Sequence, residues 1–281
     1  MLGAFIGDIA GSFREFSRNK YPELGLLPSR EDVYKHTTSG KTGYGITDDS
    51  ILTLATMKAL LEIDAFPDYS STATFSAAYK RFGLANRDPI GGYGEGFSKW
   101  MRSGGTKPYN SCGNGSAMRI SPVGYWGMNP DEVLETAFAS AVCTHSHPEG
   151  IKGAQATALS IFLARHKDFM GFTSFGDIND HLHTKLIGYD AVEQFDHFDA
   201  VCPDTMRLAT HILLTTNNFH DAVFKAVTTP RADSDTLGAI VGSIAEPLYG
   251  IPDDIADCAK SFIPAHHMDL IKQFDEHCTN R

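Results

Sequence analysis

The sequence predicts an all-α protein, and three observations carry that prediction. Strand-like alternation is nearly absent; apolar residues recur at three- and four-residue spacing in run after run; and several of these runs open on residues that cap helices. No fixed-period repeat, low-complexity tract or linker interrupts the 281 residues, so a single domain over residues 1–281 is expected. Apolar residues make up 42% and charged residues 21%, which is a globular rather than a disordered composition.

The charge balance removes some functions. A net charge of -10 argues against a nonspecific grip on nucleic acid, which needs clustered Lys and Arg. No apolar run reaches the ~18 residues of a membrane helix. Cys112, Cys143, Cys202, Cys258 and Cys278 are odd in number and show no paired spacing, which fits a reducing compartment. The apolar N-terminus carries Asp8 and lacks a preceding basic region, so it does not read as a signal peptide. A cytoplasmic protein is expected.

From Leu2 to Phe16 the apolar residues Leu2, Phe5, Ile6, Ile9, Ala10 and Phe13 give a buried helix, with Gly3, Gly7 and Gly11 on one stripe. Each glycine costs roughly 1 kcal/mol against alanine, so close approach of another backbone should offset it. Residues 17–45, broken by Pro22, Gly25, Pro28, Gly40 and Gly43, read as a long loop. Gly40-Lys41-Thr42 is not a P-loop, because Lys35 stands where its first glycine belongs. Thr47 then caps a helix running through Ile51, Leu54 and Leu61, with Asp48 and Asp49 in its first turn.

A helix over Thr72–Phe82, the turn Arg87–Gly92 and an amphipathic piece with Phe97, Trp100 and Met101 follow. Gly113-Asn114-Gly115-Ser116 reads either as a tight turn or as a helix N-terminus whose amides cradle phosphate or ribose oxygens. Pro130–Cys143 and the alanine-rich Gly153–Arg165 are helices. Between them, His145 and His147 lack further soft ligands for zinc, and His145 suits hydrogen bonding to a ligand instead. Phe169–Pro203 is polar and without clear period. Helical spacing resumes over Asp204–Thr216 and Asn218–Val227, breaks at Thr229–Ala232, and returns in a small-residue helix after Asp235. Helices over Pro252–Phe262 and Ala265–Cys278 close the chain.

Thr47-Asp48-Asp49-Ser50 and Asp233-Ser234-Asp235-Thr236 form a pair of acid–hydroxyl clusters, each at the start of a helix. Adjacent carboxylates repel unless they are solvated, hydrogen-bonded or bound to a cation, and hard oxygen donors suit Mg²⁺, Mn²⁺ or Ca²⁺. Capping accounts for one acid readily and for two beside a hydroxyl less well. Brought together, the clusters would make a two-metal oxygen site able to orient substrate hydroxyls and a water.

The ordered segments Gly3–Glu15, Thr47–Ser50, Gly113–Arg119, Thr144-His145 and Asp233–Thr236 resemble the motifs of the ADP-ribosylglycohydrolases, the family of dinitrogenase reductase-activating glycohydrolase and the animal ADP-ribosyl-acceptor hydrolases. The resemblance implies an all-helical fold around two divalent cations, Mg²⁺ or Mn²⁺. It implies hydrolysis of the bond joining ADP-ribose to an acceptor, on a modified protein or a small-molecule conjugate, with arginine-linked ADP-ribose favoured. By motif, Thr47, Asp48, Asp49, Asp233, Asp235 and Thr236 become metal ligands, and Asp48, Asp49, Asp233 and Glu15 the acids available for catalysis. Gly113, Asn114, Gly115, Ser116 and His145 fall on the pyrophosphate and adenosine side. Arg231 and Ala232 stand where the family usually has glycines. That departure keeps open an ADP-ribose-binding relative with impaired turnover, and the diol-gripping chemistry keeps open a hydrolase of another ribosyl or nucleotide compound.

Overall fold

The computed structural model describes residues 1–37, 43–66, 70–104, 107–198 and 200–281, and Gly40-Lys41-Thr42 lie outside these. Among the described residues there are sixteen α-helices and no strand. They are α1 (Gly3–Ser12), α2 (Arg30–His36), α3 (Asp48–Ala65), α4 (Ser71–Ala85), α5 (Glu95–Arg102), α6 (Gly115–Met118), α7 (Ser121–Trp126) and α8 (Pro130–Val142). The second half holds α9 (Pro148–Arg165), α10 (Lys167–Met170), α11 (Phe175–Thr184), α12 (Cys202–Thr215), α13 (Phe219–Thr228), α14 (Ser234–Tyr249), α15 (Asp253–Lys260) and α16 (Ala265–Asn280). None is long and apolar enough to cross a membrane.

Glycine decides the centre of the fold. A Cβ placed on Gly3 would overlap the carbonyl of Gly242, one on Gly7 the carbonyl of Gly238, and one on Gly11 the backbone of Asp235. Rising numbers on α1 meet falling numbers on α14, so the two helices run antiparallel with their backbones in contact. The stripe is thus a helix-packing device, and its geometry has a consequence for chemistry. It sets the end of α1, and Glu15 just beyond it, beside the start of α14, where the second acid cluster lies.

Both central helices are buried along nearly their whole length. Phe5, Ile6 and Ile9 of α1, with Phe13 just past its end, join Leu54, Met57 and Leu60 of α3, Leu159 and Leu163 of α9, and Ile240 and Ile244 of α14 in one core. Helix α3 lies along α1 and α14; α4 packs on α3, α8 on α4, and α9 on α8 and α14. The first acid cluster, at the start of α3, therefore opens at the same end of the core as the second.

Two helices depart from the sequence expectation. Residues 17–45 are not one loop, because α2 forms with the Ser29 hydroxyl accepting from the Asp32 amide, Glu31 and Asp32 in its first turn and Lys35 and His36 in its last. Only its Val33 is buried, so no apolar period announced it. In the polar stretch before Pro203, α11 is set by a capping box between Ser174 and Asp177 and buries Phe175, Ile178 and Leu182.

Candidate active site

The first cluster is held from below by an acid. Asp8, fully buried on α1, accepts through Oδ2 from the amides of Thr47 at 3.0 Å and Ser50 at 3.1 Å, and from the Ser50 hydroxyl. Thr47 in turn caps α3: its Oγ1 accepts from the Asp49 amide at 3.2 Å and donates to Asp49 Oδ2 at 3.3 Å. Thr47 does not line the cavity that the acids share. Its hydroxyl is engaged by the Asp49 amide and carboxylate.

The second cluster is held from the side. Asn114 Nδ2 donates to Asp233 Oδ2 at 2.9 Å and to Thr205 Oγ1 at 3.2 Å. Lys20, only 2% exposed, donates through Nζ to the carbonyls of Arg14, Glu15 and Ala232 at 3.2, 3.0 and 2.8 Å. One ammonium thus ties the segment carrying Glu15 to the segment entering Asp233. Burial lowers its pKa to about 8, although the nearby charges of Asp233, Asp235 and Glu15 work to raise it.

The two clusters meet. Thr236 Oγ1 donates to Asp49 Oδ2 at 3.4 Å across 187 positions of sequence, and Glu15, Asp48, Asp49, Asp233 and Asp235 line one cavity of about 370 Å³. Within it the carboxylates of Glu15, Asp233 and Asp235 can bring one oxygen each within 4.8 Å of one another. Gly91, with φ of 78°, lies so close that a Cβ there would sit 3.0 Å from Glu15 Oε2. The turn at residues 89–92 therefore covers Glu15.

So many acids in one enclosed space resist ionisation. Burial first, and then mutual repulsion, holds Asp48, Asp49 and Asp235 well above the usual carboxylate range. Glu15 rises to about 8 by burial and the charge of Asp233, against the pull of Lys20. Asp8 rises to about 6 by burial, its hydrogen bonds opposing the shift. Among the described residues, Asp8 Oδ1 and Asp49 Oδ1 are buried without a partner. Unsatisfied hard oxygens, gathered carboxylates and the hydroxyl of Thr236 fit divalent cations, whose charge would reverse these shifts.

At the other side of the cavity the imidazole of His145 faces Gly113 and Gly115; a Cβ on Gly115 would lie 3.2 Å from Nε2. Its Nδ1 is 2.8 Å from Thr144 Oγ1, and Arg119 Nη2 is 2.8 Å from that same hydroxyl. A guanidinium only donates, so Thr144 accepts from Arg119, and its second lone pair and its proton both remain open to Nδ1. With Nδ1 engaged by Thr144, Nε2 is the nitrogen on the side of Gly113 and Gly115. Burial and the charge of Arg119 lower the His145 pKa well below its ordinary value, which favours the neutral ring.

Of the two readings of Gly113–Ser116, the structure shows a turn that leads into the short helix α6. The Gly113 amide donates to Ser111 Oγ at 3.1 Å and the Asn114 amide to the Ala200 carbonyl at 3.3 Å. Ser116 does not line the cavity: fully buried, it donates to the Gly150 carbonyl at 2.7 Å. Gly113, Asn114, Gly115 and His145 do line it, with Tyr109 beside His145. Asp8, Lys20, Arg119 and Tyr109 are structural members of the site that sequence reasoning missed. An acid inside an apolar helix was the one visible signal, at Asp8.

The model of the ADP-ribosylglycohydrolase family matches residues 1–276. ADP-ribosyl-[dinitrogen reductase] glycohydrolase of Rhodospirillum rubrum is 24% identical over 265 residues, covering 90% of this chain and 85% of that protein. ADP-ribosylhydrolase ARH3 of Mus musculus is 29% identical over 208 residues, covering 67% of this chain; the match spans only 52% of ARH3, about half its length. ADP-ribosylarginine hydrolase Tri1 of Pseudomonas putida is 24% identical over 277 residues, covering 89% of this chain and 70% of Tri1. A solved structure titled ADP-ribosylglycohydrolase-related protein complex superposes with a TM-score of 0.58 at 20% identity, covering 99% of this chain and 94% of that one, which shows a shared fold.

Proposed function

This chain belongs to the ADP-ribosylglycohydrolase family, and on that premise we propose that it hydrolyses the glycosidic bond between ADP-ribose and an acceptor on a protein or small-molecule conjugate. The observation that carries the reading is the contact of Thr236 with Asp49, which joins the two acid clusters in a cavity that also holds Glu15 and His145. Asp48, Asp49, Asp233 and Asp235, with the Thr236 hydroxyl, would hold a pair of divalent cations of the Mg²⁺ or Mn²⁺ kind. Bound there, these would supply positive charge to polarise the hydroxyls of the ribose next to the scissile bond and to orient a water.

The residues of the chain do the rest. With Nδ1 engaged by Thr144, His145 offers Nε2 to the diphosphate side, where its N–H form would orient the ligand without a cluster of cations. Glu15, covered by the turn at residues 89–92, stands at the reacting end, placed to exchange a proton with the water there. Asp8 fixes the backbone at Thr47 and Ser50 on which Asp48 and Asp49 are carried, and Asn114 fixes the Asp233 carboxylate. Arginine-linked ADP-ribose is the first linkage to test, since the Pseudomonas putida relative is named for it.

The test is a panel of arginine-, serine- and acetyl-linked ADP-ribose, each with Mg²⁺, Mn²⁺ or EDTA. Release of free ADP-ribose that depends on the cation is expected from at least one linkage. No release from any of them, while the protein still binds ADP-ribose in calorimetry, would leave the binding-only reading in its place.

A further inference from the structure

We propose that the cleft on the outer side of Glu15 receives the peptide segment around the modified residue, and that Arg18 and Arg231 select segments with acidic flanks. This rests on the hydrolase reading above and adds the kind of acceptor. The cleft measures about 910 Å³ and shares Glu15 and Phe198 with the acid-lined cavity, so it opens directly onto the reacting end. Its walls carry Arg18, Lys20 and Arg231 in a protein whose net charge is -10, a local reversal of sign.

The three cations are not equivalent. Lys20 has its ammonium engaged by three backbone carbonyls. Among the described residues, neither Arg18 nor Arg231 forms an ion pair, and both are exposed. The acid that faces them, Asp196, is held by His197 at 3.1 Å, and His197 also reaches Asp204 at 2.9 Å. Arg231 further adopts a φ of 60°, a left-handed conformation that favours glycine. An exposed arginine in a strained backbone position gains nothing from burial, which points to a use for its side chain. The rings of Phe16 and Phe198, 65% and 51% exposed, border the same cleft. Cations interleaved with aromatic rings, with Asp196 held by His197 and Glu15 at the inner end, form a peptide-binding surface, whereas nucleic acid calls for a denser basic stripe.

Two synthetic peptides test this. They carry the same ADP-ribosylated residue and differ only in having Glu or Lys at the four flanking positions. At low salt, kcat/KM for the Glu-flanked peptide should exceed that for the Lys-flanked one about tenfold, and the ratio should shrink as salt screens the charges. Arg231→Gly combined with Arg18→Ala should bring the ratio close to one, and Arg231→Glu should invert it. Glycine suits the backbone at 231, so the first variant is expected to fold. Equal kcat/KM for the two peptides overturns the inference while leaving the hydrolase reading intact. If neither peptide is cleaved, fluorescence anisotropy of the uncleaved peptides decides: tighter binding of the Glu-flanked one, lost in Arg231→Glu, supports the inference, and equal binding overturns it.

Discussion

The two acid clusters are alike in composition and opposite in support. The first, at Thr47–Ser50, is fastened by its own helix cap and by Asp8 directly beneath it. The second, at Asp233–Thr236, has no side-chain cap at Asp233 and depends on partners far away in sequence: Lys20 on the Ala232 carbonyl, Asn114 on Asp233, and the bare backbone of Gly11 against Asp235. The difference teaches that equal motifs need not be equally autonomous. One is a local structure adapted to chemistry, and the other takes its shape from the fold around it.

That contrast can be broken from either side. The largest effect is expected where both clusters lose function alike: Asp49→Asn and Asp235→Asn should each lower kcat/KM by about 100- to 1,000-fold, read as ADP-ribose release, on the scale of removing a group that stabilises transition-state charge. Next come the supports. Asp8→Asn should weaken Mn²⁺ binding in calorimetry about 10- to 100-fold, as residues that orient ligands typically do. An unchanged affinity would mean that the α3 cap alone holds the first cluster. Lys20→Met should instead destabilise the fold by about 1–3 kcal/mol in a urea titration, since three buried carbonyls lose their donor.

The acids also set a pH dependence. Because Asp8 and Glu15 have folded-state pKa values raised to about 6 and about 8, the folded chain binds more protons than the unfolded one above the ordinary carboxylate range. Stability in EDTA is therefore expected to be greatest at low pH within this window and to fall as pH rises from about 4 to about 8. Differential scanning fluorimetry at pH 5 and pH 8 should show the lower Tm at pH 8, and added Mn²⁺ should restore it there more than at pH 5. An EDTA Tm that climbs over this range would contradict the burial of the cluster as ionised groups. The smallest effect is reserved for Thr47→Ala, which removes a cap worth about 1 kcal/mol and should leave Mn²⁺ affinity within a few-fold. A loss beyond tenfold would show Thr47 acting as a metal ligand.

Much of this was legible in the sequence where a feature is local. The apolar spacing of α1, α8 and α14, the glycine stripe, and the acids following Thr47 all report on their own segments. What was not legible depends on distant or polar partners. Helix α2 buries only Val33 and so leaves no apolar period, and α11 is held by a Ser174–Asp177 cap within polar text. Ser116 has the chemistry of a ligand group, yet it turns to the Gly150 carbonyl, 34 positions on, which only the fold brings near. Lys20 reads as one more loop lysine until the entry to α14 arrives beside it.

The antiparallel seam between α1 and α14 has a bearing on how the protein is made. Glu15 leaves the ribosome more than two hundred residues before the carboxylates it must stand beside, so nothing resembling a complete pocket exists on the nascent chain until α14 has emerged. Asp8 and the start of α3 can find one another early, across 39 positions, whereas the contact of Thr236 with Asp49 closes a loop of 187. Contacts of that span form slowly, and their closure comes late. Half-synthesised chains should thus be unable to bind ligand, because the turn that opens α14 is needed to create the site.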